Sequence, residues 1–130
     1  MGKFIDLKAA DGFTFPAYVA EPAGKPKAAV VVLQEIFGVN SHIQQVTDRF
    51  AAQGYLAIAP AIFERVEKGV DTGYNEATMK AGIALKAAVM ALPGAGIMQD
   101  VQASIDHVAK ASGGKVGIIG FCFGGLLAWQ

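Results

Sequence analysis

Gly114-Lys115-Val116-Gly117-Ile118-Ile119-Gly120-Phe121-Cys122-Phe123-Gly124-Gly125 is the stretch on which the fold turns. Residues 115–121 read as a buried strand and residues 123–130 as the start of a helix, with Cys122 at the turn between them. Glycine stands two positions before the cysteine and two after it. A tight strand-to-helix turn crowds those neighbours together, and Gly120 and Gly124 have no side chains to collide. The free N–H groups and positive dipole end of the following helix favour a thiolate at Cys122. This is the context of a nucleophile elbow. A lone cysteine is also a common packing residue, but glycine on both sides in this context favours the nucleophile. Gly117, Gly120 and Gly124 loosely suggest a dinucleotide fingerprint, yet the G-x-G-x-x-G spacing and the later acidic residue are both missing.

Working outward from the elbow, residues 28–33 and 55–60 are further continuous apolar runs. Such runs suit strands covered on both faces, as in a parallel sheet. Residues 4–7 and 14–20 read as a hairpin across Asp11-Gly12, and Pro16 assigns that pair to a sheet edge. Asn40 or Ser41 caps a helix that runs to about residue 53, with Ile43, Val46 and Phe50 on its inward stripe and Gly54 as its stop. Residues 64–74 read as an excursion loop. Asn75 opens a helix to about residue 92, with Met79, Ile83, Ala87 and Met90 on one face, and Pro93-Gly94 breaks it. A third helix covers about residues 97–111, its core face carrying Ile97, Val101, Ile105 and Val108, and Gly113-Gly114 ends it. The order is hairpin, strand, helix, strand, helix, helix, strand, helix. It predicts one α/β domain over residues 1–130, a doubly wound and mainly parallel sheet with right-handed crossovers.

Composition narrows the function. Eleven Lys and Arg balance eleven Asp and Glu, so nothing favours binding to nucleic acid. Residues 116–129 are the most apolar stretch, but they contain four glycines and fall short of the ~18 residues of a membrane span. The N-terminus has no signal-peptide pattern. A single cysteine fits a reducing cytoplasm. The reading calls for no metal and no cofactor.

The second chemical feature is Gln34-Glu35-Ile36-Phe37-Gly38, directly after the run at 28–33. It falls at the carboxyl end of a central strand, where open α/β sheets build their sites. There Glu35, if it faces the cleft, can take the proton of Cys122, and the backbone N–H groups of Ile36 and Phe123 can hold an oxyanion; the alternative is a solvated loop glutamate. An ionised Glu35 beside a thiolate would raise the thiol pKa and oppose the helix dipole. Glu35 therefore makes sense as the proton acceptor, or held away by a cation, and not as a bare anion beside the sulfur.

Together, Gln34-Glu35-Ile36-Phe37-Gly38 and Gly120-Phe121-Cys122-Phe123-Gly124-Gly125 resemble the dienelactone hydrolase (carboxymethylenebutenolidase) family of α/β-hydrolases, which use cysteine where most relatives use serine. Residues 54–60 and 114–120 look like strands of that family as well. The resemblance implies an α/β-hydrolase fold and hydrolysis of a small lactone or ester through a thioester. It implies that Glu35 helps activate Cys122 and that the N–H groups of Ile36 and Phe123 form the oxyanion hole. It also implies a cation for the substrate carboxylate, for which Lys80 lies nearer the expected place than Arg49 or Arg65.

In such hydrolases the acid and histidine follow the nucleophile in chain order. Only eight residues follow Cys122, and none is Asp or His. His107 falls opposite the Ile105/Val108 stripe and reads as a solvated helix residue. His42 sits near a helix N-terminus, which disfavours imidazolium. The chain thus reads as the N-terminal half of a hydrolase, with the last strands absent. The alternative is a non-catalytic half-domain for assembly. In either case residues 116–121 should form an unguarded sheet edge, ready to pair with a second copy or a missing C-terminal half. The elbow carries its own test. Iodoacetamide alkylation of Cys122 against pH should give a midpoint below the ~8.5 of a free thiol, and a midpoint there or above contradicts activation by the elbow.

Overall fold

The apolar runs at 28–33 and 55–60 become interior strands of one five-stranded sheet. The run expected as a buried strand at 115–121 instead gives the last strand in its order, partly exposed because its described pairing is on one side alone. The structure is a computed structural model describing residues 2–34, 38–64, 66, 76–91, 98–111, 114 and 116–120. In chain order the elements are β1 (Lys3–Lys8), β2 (Thr14–Ala20), β3 (Ala29–Leu33), α1 (Ser41–Ala52), β4 (Leu56–Pro60), α2 (Glu76–Met90), α3 (Met98–Ala111) and β5 (Val116–Gly120). Asn75, Pro93-Gly94, Ile97, Gly113 and the helix expected after Cys122 lie outside the described residues.

The strand order is β1-β2-β4-β3-β5. β4, β3 and β5 pair in parallel, while β2 runs antiparallel to both β1 and β4. The sheet is therefore mixed, with β2 alone reversed. The hairpin takes one edge of the sheet, as Pro16 suggested, but the strand carrying Pro16 is not itself the outer one. β2 is tolerated inside because its ladder with β4 begins at Ala17. Beyond that end, the Pro16 carbonyl accepts the Ala61 N–H at 2.9 Å. A residue's N–H and C=O point to the same side of a strand, so the donor that proline lacks falls at the ladder's end, where its loss costs least.

β4 is buried along its whole length, as a strand covered on both faces must be. On one face Val31, Leu33, Leu56 and Ile58 pack with Val101 and Val108 of α3. On the other, Tyr18, Ala20, Val32 and Ala59 pack with Ile43, Val46 and Ala51 of α1. The chain moves one way along the sheet from β3 to β4, then back past β3 to β5. Two right-handed crossovers in opposite directions require helices on opposite faces, as observed.

Local chemistry sets the helix ends. The Asn40 side chain accepts the Ile43 N–H at 3.2 Å, so Asn40 is the cap of α1. Gly54, at φ +98°, donates its N–H to the Ala51 carbonyl and closes the helix in a conformation that glycine adopts without strain. In α2, Met79, Ile83 and Met90 are exposed, and among the described side chains Leu85 packs on the core. Alanines and other apolar residues surround this helix, so its sequence holds no single stripe to choose the buried side.

Tyr18 ties three segments together. Its hydroxyl donates to Asp48 Oδ1 at 2.9 Å and accepts the Gly2 N–H at 3.0 Å. Burial first, then the bond to Asp48, raises the phenol above its ordinary value near 10. The neutral phenol is thus favoured in the folded state. Its contribution is complete below about pH 10 and is lost as pH rises through the higher folded value. Tyr18→Phe should lower stability by about 1.5 kcal/mol near neutrality and flatten its decline above pH 10, as read by urea unfolding. An unchanged neutral stability would show that the tie contributes nothing.

Candidate active site

β3 and β5 run side by side in parallel with five residue pairs in register, the last being Leu33 with Gly120. Both chains therefore leave the sheet at the same carboxyl edge, one strand spacing apart, about 4.8 Å. The crossover out of β3 leads to β4 on one side, while β5 lies on the other. That reversal is the topological switch point, the place where open α/β sheets leave a crevice outside their carboxyl ends. Glu35 is two residues beyond Leu33 and Cys122 two beyond Gly120. Glu35, Ile36, Cys122, Phe123 and Gly124 themselves lie outside the described residues, whereas Gly120 closes β5.

The described residues on either side of positions 35–37 are held in place. Gln34, fully buried, accepts the Ile62 N–H on its Oε1 at 3.1 Å. Ile62 follows β4, so this bond joins the exits of two neighbouring strands. Gly38 takes φ +82°, which a side chain would resist. Val39 and Asn40 are then buried, and Asn40 caps α1. Gln34 stood in the sequence as part of the motif, but its anchoring role did not. The available signal was a polar residue abutting a continuous apolar run. Among the described residues no buried side-chain polar atom lacks a partner.

The remaining candidates are dispersed. Lys80 lies on α2, largely exposed, 3.7 Å from Glu76 one turn earlier. His107 is exposed on α3, as its position opposite the Ile105/Val108 stripe implied, and His42 is exposed in the first turn of α1. His42 lines a groove of about 350 Å³ with Val46, Arg49, Phe50, Gln53 and Ile119, between α1 and β5. A groove of about 550 Å³ runs along α3 beside the end of β1, at the other edge of the sheet from Gly120. Among the described residues, no three His, Cys, Asp or Glu side chains gather as a metal site, and no helix is long and apolar enough to cross a membrane.

Residues 15–130 match the model of the dienelactone hydrolase family. The chain is 44% identical over 116 residues, 86% of its length and 46% of the relative's, to a Synechocystis protein provisionally named a carboxymethylenebutenolidase. It is 34% identical over 128 residues to the carboxymethylenebutenolidase of Pseudomonas putida, covering 96% of this chain and 53% of that one. A crystal structure from Klebsiella pneumoniae, provisionally named a dienelactone hydrolase, superposes with a TM-score of 0.78 at 29% identity. That superposition covers 99% of this chain and 52% of the other. The chain spans about half the length of the curated relatives it matches.

Proposed function

Since the chain belongs to the dienelactone hydrolase family, we propose that it supplies the nucleophilic half of a cysteine-dependent lactone or ester hydrolase. The observation that carries this reading is the registered β3–β5 pair, whose exits lead within two residues to Glu35 and Cys122. The Cys122 proton passes to the Glu35 carboxylate, and the sulfur adds to the substrate carbonyl carbon. The N–H groups of Ile36 and Phe123 hold the resulting oxyanion. The ester C–O bond breaks, and the leaving alkoxide takes the proton back from Glu35. Water then cleaves the thioester, releasing the acid and restoring the thiol. Lys80 is the cation assigned to a substrate carboxylate. One cysteine and no disulfide suit a cytoplasmic setting.

Assayed on a polypeptide of residues 1–130 alone, with no Asp or His after Cys122, thioester hydrolysis should be the slow step. A 4-nitrophenyl ester should therefore leave an acyl group on Cys122, visible by mass spectrometry and absent in Cys122→Ala. Lys80→Ala should slow acylation by a carboxylated ester and leave a neutral one unaffected. Lack of any Cys122 adduct, with thiol and fold intact, contradicts the reading.

The triad partners are supplied by a segment equivalent to the relatives' second half, docked along β5. In support, among the described residues β5 pairs with β3 alone, Ile118 is 40% exposed, and the groove beside Ile119 has an apolar floor of Val46 and Phe50. An unpaired apolar edge invites strand addition. Sedimentation of the 130-residue chain should show association, through this edge with a second copy, that Ile118→Lys weakens. A monodisperse monomer at micromolar concentration, with slow amide exchange along β5, contradicts an open edge.

A further inference from the structure

We infer that Gln34 is a positioning residue for the proton transfer from Cys122 to Glu35: it ties the exit of β3, one residue before Glu35 in sequence, to the exit of β4. The inference rests on the reading of Cys122 and Glu35 proposed above. Gln34 is the first residue after β3 and is fully buried. A primary amide in such a place is disfavoured unless it is hydrogen-bonded, and an apolar residue of similar volume would fill the space without that demand. Here the amide oxygen accepts the N–H of Ile62, itself fully buried, at 3.1 Å. The bond spans two chain segments 28 residues apart, at the carboxyl edge of the sheet.

The placement of this bond gives it a role beyond filling space. β3 lies between β4 and β5. On the β5 side, the ladder fixes it up to Leu33 opposite Gly120. On the β4 side, the last registered pair is Val31 with Ile58. The Gln34–Ile62 bond continues the attachment to the β4 side past that point. It does so at the residue that immediately precedes Glu35. A carboxylate must lie within hydrogen-bond reach of the thiol to take its proton. Without the tie, the end of β3 keeps its ladder to β5 but loses this bond to the β4 side, one residue before Glu35 in sequence.

A positioning role and a packing role separate in the pH profile of Cys122 alkylation by iodoacetamide, measured on the folded chain. The set is the parent chain, Glu35→Gln, Gln34→Met and the double variant, each with a thermal melt. Glu35→Gln should slow alkylation at neutral pH. Gln34→Met should slow it on the order of tenfold, a part of the ~10²-fold that a 1 Å misplacement can cost. The double variant should be no slower than Glu35→Gln alone, because both act through one carboxylate. If Gln34→Met gives no cooperative melt, Gln34→Asn, whose arm is one methylene too short, replaces it and is read the same way. A Gln34 variant that melts lower but keeps the parent profile, while Glu35→Gln moves it, overturns the positioning role and leaves the Cys122–Glu35 reading standing. A profile that Glu35→Gln does not move removes that reading, and the positioning role with it.

Discussion

The parallel pairing of β3 with β5 is the constraint on which the candidate site depends. Five residue pairs hold the two strands in one register, ending at Leu33 and Gly120. Parallel strands point the same way, so a chain leaving one at its carboxyl end meets a chain leaving the other. A shift of one residue would turn every side chain of β5 to the opposite face. It would move Val116 off the α3 core and Ile119 off the α1 core. The two cores thereby hold the register, and the register ends β3 and β5 side by side at Leu33 and Gly120, two residues before Glu35 and Cys122 respectively in sequence.

The rest of the fold supports that pairing from a distance. α1 and α3 clamp opposite faces of β3 and β4, so the central strands are dry on both sides. One strand in from the far edge, Tyr18 joins β2 to Asp48 of α1 and to the backbone of Gly2. At the carboxyl edge, buried polar groups continue where apolar packing stops: Gln34 reaches Ile62, and Asn40 reaches Ile43. Buried amides are costly unless satisfied, and each of these is bonded to a main-chain N–H at a turn in the chain's path.

Much of this architecture was legible in the sequence. Continuous runs such as Val30-Val31-Val32-Leu33 can only be stable when covered on both faces, and they became the central strands. Asn40 ahead of an amphipathic stretch and Gly54 after it marked α1 to within a residue. The motifs around Cys122 and Glu35 were legible as local signals, elbow glycines and a strand-end glutamate, and they pointed to the family that residues 15–130 match. What was not legible depends on long-range geometry. The interior place of β2 depends on where its ladder with β4 starts relative to Pro16. The exposed side of α2 depends on what packs beside it, because its residues are apolar on most sides. The partner of Gln34 lies 28 residues away and that of Tyr18 lies 30 away, and no local pattern connects either pair.

The proposed proton transfer requires positions 35 and 122 to meet beyond the paired ends of β3 and β5. A disulfide needs Cα atoms about 4.4–6.8 Å apart and converging Cβ directions, so it reports that contact directly. The Glu35→Cys variant should form an intramolecular disulfide with Cys122 under mild oxidation, seen as the loss of two thiols and two hydrogens by mass spectrometry of the monomeric fraction. Two thiols that both alkylate readily in the folded chain yet never join under oxidation would contradict the account.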